Sequence, residues 1–77
     1  MVEMFSTTWC GYCKRLKVAM EHAGIDYTET NIENDPGAAD WVMNANGGNQ
    51  TVPTLRFADG SALTNPTIGQ VKEKLGI

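Results

Sequence analysis

With 77 residues, 42% of them apolar and 19% charged, the chain can form one small core but not two, so one domain spanning residues 1–77 is expected. The same balance argues against disorder, and a net charge of −3 argues against nucleic acid as the main partner, because phosphate binding needs a basic face. No stretch reads as a membrane span or a signal peptide, which makes a cytoplasmic protein, off the membrane, the expectation.

In chain order, "VEMFS" reads as a short strand. After it, Leu16, Ala19, Met20 and Ala23 fall on one face of a helix counted from Cys13, and Gly24 is placed to end it. "DYTETNI" (residues 26–32) reads as a second strand. In "NDPG", Asp35 can cap a helix that Pro36 opens, with Ala38, Trp41, Val42 and Ala45 as its apolar stripe and Gly47-Gly48 as its stop. "TLRF" and "ALT" read as two strands joined by the Asp-Gly turn of "ADGS". From Asn65 onward a third helix is expected, with Thr67 and Gln70 as a capping box and Ile68, Val71 and Leu75 turned inward. The order β-α-β-α-β-β-α implies an α/β fold. Its first two strands are parallel through a right-handed crossover, its last two form a hairpin, and three helices flank one four-stranded mixed sheet.

The two cysteines, Cys10 and Cys13, stand two residues apart where the first strand gives way to the first helix. As a structural staple the pair would close a very short loop and stabilise little. As a metal site it lacks ligands, since His22 is the only histidine, so no metal is expected without a second chain or an outside ligand. A C-x-x-C beside a β-α-β pattern, in a compartment that keeps thiols reduced, points instead to thiol redox chemistry. Cys10 is the candidate nucleophile, because unpaired N–H groups at a helix start and the helix dipole stabilise a thiolate. Lys14, Arg15 and Lys17 add positive charge, although an ordinary solvated helix face would read the same way. At pH 7 a thiol of pKa about 8.5 is only about 3% ionised, whereas one near 6.5 is about three-quarters thiolate. Cys13, inside the helix, is the candidate resolving thiol. His22 lies too far along the helix to act as a base for Cys10. In "TVP", Pro53 opens a strand after a polar loop and is a candidate for a cis bond with Val52.

Through "WCGYC", "GGNQTVPT" and "FADGSALTNP" together, nearly the whole chain resembles the glutaredoxin-type members of the thioredoxin-fold superfamily, and within them the mycoredoxins. The resemblance implies a thioredoxin/glutaredoxin fold and a thiol-disulfide oxidoreductase active in electron transport and cell redox homeostasis. Cys10 would attack a mixed disulfide between a protein and a small thiol, and a second small thiol would release the adduct. The implied co-substrate is mycothiol, and the implied partners are mycothiolated or disulfide-containing proteins. Mycothiol disulfide reductase and NADPH would act indirectly. Pro53 resembles the family's cis-proline, and the backbone of Val52 would pair with the ligand like an added strand. Where glutathione-dependent relatives carry an acidic pair, this chain has "DGSALTNP", so Ser61, Thr64 and Asn65 are candidates to hydrogen-bond the hydroxyls of a sugar thiol. Helix capping is the competing role for Asn65 and Thr67. Trp9 and Tyr12 are candidates for the walls of the thiol groove, while Trp41 is expected in the core and His22 at the surface.

Two alternatives stand beside this reading. One is a dithiol redoxin served by thioredoxin reductase that reduces protein disulfides such as that of ribonucleotide reductase, although that branch carries a different tract before the last helix. The other is a non-enzymatic iron–sulfur carrier, suggested by Gly11 in place of the proline of "CPYC" relatives. The carrier would be a brown dimer; the oxidoreductase would be a colourless monomer.

Overall fold

The computed structural model describes residues 2–77. Its elements follow the expected order: β1 (Val2–Ser6), α1 (Gly11–His22), β2 (Tyr27–Asn31), a 3₁₀ turn (Ile32–Asn34), α2 (Pro36–Ala45), β3 (Thr54–Arg56), β4 (Ala62–Thr64) and α3 (Ile68–Leu75). The sheet order is β2-β1-β3-β4. β1 runs parallel to β2 and antiparallel to β3, and β3 and β4 form the hairpin.

Period-two alternation in β1 divides its side chains between two cores. Val2 and Met4 pack with Leu16 and Met20 of α1, Val71 of α3, and Leu55 and Phe57. Phe5 points to the other face and meets Ile32, Ala39 and Val42. The central strand is thus covered on both faces. Met4, Met20, Leu55 and Val71 are fully buried, and each such side chain contributes roughly 1.5–3 kcal/mol on leaving water.

The start of α1 agrees with the sequence reading: the helix begins at Gly11, and Cys10, just before its first turn, supplies the cap. Several other boundaries differ, each for a local reason. Strand β2 ends at Asn31, whose side-chain oxygen accepts the Glu33 N–H at 2.8 Å and turns Ile32 into the 3₁₀ segment. α3 begins at Ile68, after Thr67 and Gln70 close the expected capping box. In α2 the buried side is centred on Ala39 and Val42, while Ala45 is exposed. Trp41 is only half-buried and stacks on Phe5, with ring centroids 5.0 Å apart. Of the α3 stripe, only Val71 is fully buried, and Leu75 lies at the surface. The hairpin turn is wider than a two-residue loop. Phe57 and Ser61 close it at 2.9 Å, and Gly60 sits at φ +84°, which a side chain would oppose.

Candidate active site

The strand end, the loop after it and the first turn of α1 are fixed by different bonds. Ser6, at the end of β1, is buried, and its hydroxyl donates to Glu29 Oε2 at 2.7 Å. The loop beyond it is tied to the 3₁₀ turn. Thr8 donates its backbone N–H (2.9 Å) and its hydroxyl (2.6 Å) to Glu33 Oε1, and Asn31 Nδ2 donates to the Thr8 hydroxyl at 3.2 Å. The Thr8 hydroxyl is the main cause that holds the Glu33 carboxyl below the usual carboxylate range.

Cys10 follows as the N-cap of α1, and its sulfur accepts the Cys13 N–H at 3.1 Å. A sulfur therefore occupies the position where Ser or Asp usually sits, facing a backbone donor that would otherwise be unpaired. Such a donor, with the helix dipole, stabilises a thiolate there once the pair is reduced. In this structure the two cysteines are joined as a disulfide, and both are buried, Cys10 at 4% exposure and Cys13 at 1%.

Two depressions flank the pair. The first, about 420 Å³, is lined by Trp9, Cys10, Gly11, Tyr12, Gln50, Thr51 and Val52. No lining residue carries a charge. Trp9 (73% exposed) and Tyr12 (60%) are the exposed aromatic side chains of its lining. Val52 and Pro53 are joined by a cis peptide bond, and the Asn65 N–H donates to the Pro53 carbonyl at 2.7 Å. The "TVP" segment and the loop after β4 are thereby brought beside the cleft.

The second depression, about 300 Å³, is charged. Ser6, Thr7, Thr8, Cys10, Cys13, Lys14, Lys17, Glu29 and Asn31 line it. Glu29 is its hub, accepting from Ser6 and from Lys17 Nζ at 3.0 Å. The Ser6 hydroxyl does most to hold the Glu29 carboxyl below its ordinary range; burial opposes this and Lys17 assists it. A larger depression, about 460 Å³, lies between β4 and α3, lined by Leu63, Gln70, Glu73 and Lys74. It contains no cysteine and no part of the segments around the pair, so its size does not make it the reactive site.

The candidate residues thus separate. Trp9, Cys10, Tyr12 and Val52 share the neutral cleft, with Pro53 and Asn65 adjoining it. Thr64 lies at the same end of the sheet, opposite Thr54, but its hydroxyl is engaged with Asn46 Oδ1. Ser61 is not brought to the cleft. It sits in the hairpin turn beyond the Arg56–Ala62 pair, about 10 Å further along the strand from Thr64 at roughly 3.3 Å per residue. Its hydroxyl donates to Asp59 at 2.6 Å. Asn65 has a left-handed backbone (φ +46°) and does not cap α3, a role taken by Thr67. Gln50 and Thr51 were missed by the sequence reading, although they directly precede Val52 in "NQTVP". Glu29 was missed too, and its place in a strand 16 residues beyond Cys13 offered no signal.

A mixed four-stranded sheet with α1 and α3 on one face and α2 on the other, carrying a capping C-x-x-C opposite a cis-proline, defines a thioredoxin-fold redox protein. Residues 2–62 match the Glutaredoxin family model, and the chain belongs to the glutaredoxin family of thiol-disulfide oxidoreductases. It is 54% identical over 72 residues to the protein named "Putative glutaredoxin Rv3198A" of Mycobacterium tuberculosis, covering 94% of this chain and 86% of that one. It is 36% identical over 74 residues to Mycoredoxin 1 of Corynebacterium glutamicum, covering 96% and 91% respectively, and is a homologue of that mycoredoxin. The crystal structure of the glutaredoxin from Methanosarcina mazei Go1 superposes with a TM-score of 0.84 at 22% identity, over 99% of this chain and 78% of that one, which supports the fold alone. Among the described residues no helix is long and apolar enough to cross a membrane.

Proposed function

We propose that this oxidoreductase is mycothiol-dependent and removes mycothiol from mixed disulfides on proteins, with Cys10 as nucleophile. The observation that carries the reading is the neutral lining of the cleft beside Cys10. Glutathione presents two carboxylates and an ammonium group, which a binding cleft pairs with charge. Mycothiol, a cysteine on an amino sugar and inositol, presents hydroxyls that the Gln50 and Thr51 side chains suit and rings that Trp9 and Tyr12 can flank. Asn65, beside Pro53, extends the neutral surface. The relationship to a mycoredoxin supports the same choice.

In the reaction, the Cys10 thiolate attacks the mycothiol sulfur of the mixed disulfide. The Cys10–mycothiol bond forms as the protein–mycothiol bond breaks, and the protein leaves as a thiolate that takes up a proton. A second mycothiol thiolate then attacks the mycothiol sulfur held on Cys10, giving mycothiol disulfide and free Cys10. The barrier depends on the thiolate fraction of the attacker and on how well the other sulfur leaves. The backbone of Val52, next to Pro53, would align the thiol's own amide as an added strand. Mycothiol disulfide is returned to the thiol by its NADPH-dependent reductase, outside this protein.

A second reading, a dithiol redoxin acting on protein disulfides, is favoured by one feature: Cys13 already forms a bond with Cys10. NADPH consumption separates the two. One arm contains mycothiol and its reductase, the other thioredoxin reductase alone, each run with the native protein and with Cys13→Ser. Turnover only with mycothiol, retained in Cys13→Ser on a mycothiolated substrate, is the expected result. Turnover only with thioredoxin reductase, lost in Cys13→Ser, overturns the proposal.

A further inference from the structure

We propose that the rim on the α1 side of the cysteine pair is a docking surface for protein substrates whose modified cysteine lies in an acidic segment. The inference rests on the reading of Cys10 as the attacking sulfur and adds the kind of partner it attacks. The chain has six lysines and arginines against nine acidic residues. Among the described residues, Lys17 is paired with Glu29, Arg56 with Glu3 and Lys74 with Asp59. Lys14, Arg15 and Lys72 form no ion pair with a described residue. Lys72 lies on α3, outside the residues that line either depression, whereas Lys14 and Arg15 directly follow Cys13.

The two cations stand on different sides of the pair. Lys14 is one helical turn beyond Cys10 and lines the charged depression with both cysteines. Arg15 is three residues beyond Tyr12, and its guanidinium lies over the Tyr12 ring, 5.3 Å from the centroid. That ring and Trp9 are the most exposed aromatic side chains described. Exposed aromatics beside an arginine are the residue types that anchor protein interfaces. Two carboxylates of the chain lie near this rim, and both are engaged: Glu29, which lines the charged depression with Lys14, accepts from Ser6 and Lys17, and Glu33 accepts from the backbone and hydroxyl of Thr8. An acidic segment therefore fits over α1, not over Thr8 and Glu33. On a chain of net charge −3, this rim is where an acidic partner meets attraction.

The test uses two peptides of equal length, each with one cysteine as a mixed disulfide with mycothiol, flanked by Asp and Glu in one and by Lys in the other. A small mycothiol mixed disulfide without peptide reports the basic reaction. The readout is the ratio of kcat/KM for the acidic and basic peptides, which cancels any change in the reactivity of Cys10 itself. The expected ratio is about 10 at low salt and falls towards one at about 0.5 M salt, where charges more than a few ångströms apart are screened. It falls to near one in Lys14→Gln/Arg15→Gln and inverts in Lys14→Glu/Arg15→Glu. A ratio near one in the native protein, or one that neither variant moves, overturns the docking surface while turnover of the small disulfide leaves the function standing. Failure to turn over the small disulfide overturns both.

Discussion

Cys10 lines both depressions, yet the two could hardly differ more in chemistry. The cleft towards Trp9, Tyr12, Gln50, Thr51 and Val52 is uncharged; the one towards Ser6, Lys17 and Glu29 is built on an ion pair. The neutral cleft has room at its rim and side chains that can meet a ligand. In the charged one the hydroxyl, carboxylate and ammonium already satisfy one another and tie β1, β2 and α1 together. On the function proposed above, one side of the sulfur meets the small thiol, while the other ties the cysteine-bearing helix to the sheet.

The largest expected effect tests the residue the two regions share. Cys10→Ser lowers turnover of a mycothiolated peptide by about 1,000-fold or more, because the nucleophile itself is removed. Initial rates measured at matched protein concentration check this, and a loss of less than tenfold would move the reaction away from Cys10.

A smaller effect sharpens the contrast between the sides. Gln50→Lys places a cation in the neutral cleft and lowers the KM for a glutathione mixed disulfide by about tenfold, roughly one charge-assisted hydrogen bond. The KM for the mycothiol counterpart rises by about threefold or more, because the Gln50 amide no longer meets its hydroxyls. If neither KM moves, the cleft does not hold the thiol.

The charged side is expected to act mainly on stability. Glu29→Ala leaves the buried Ser6 hydroxyl without its acceptor and costs about 1–2 kcal/mol, read from urea unfolding, with the KM for the small thiol little changed. The sign of the pH effect follows from the same carboxylates. In the folded chain Glu29, Glu33 and Asp59 are held below their ordinary values, chiefly by the hydroxyls of Ser6, Thr8 and Ser61 respectively. A depressed folded value gives stability that is fully present above the unfolded value and lost as pH falls through the folded one. The Tm is therefore flat from about pH 7 to 5 and declines below about pH 4.5. The decline is shallower in Glu29→Ala.

How much of this could be read from the sequence depended on how local the determinant was. The C-x-x-C at a helix start, the Asp35-Pro36 and Thr67–Gln70 caps and the Asp-Gly turn are each written within a few adjacent residues, and the structure contains all of them, the turn in a wider form than expected. Trp9 and Tyr12 adjoin the cysteines in sequence, and the structure places both, exposed, on the cleft. What escaped was set by tertiary packing. Glu29 is one polar residue in a polar strand until the parallel pairing of β1 and β2 brings it to Ser6 and α1 brings Lys17 to it. Ser61 and Thr64 looked alike as hydroxyls in one short tract. Strand direction carries Ser61 to the far end of the hairpin, and Asn46 engages Thr64. Gln50 and Thr51 lay in a quoted motif, but only the fold shows that they line the cleft with Cys10.

The central claim is that the neutral cleft selects a neutral thiol, and one competition tests it directly. A single peptide is prepared as its mycothiol and its glutathione mixed disulfide, and kcat/KM is measured for both with the native protein under the same reducing conditions. The mycothiol form is expected to be preferred by about tenfold or more. Equal values, or a preference for glutathione, would contradict the claim.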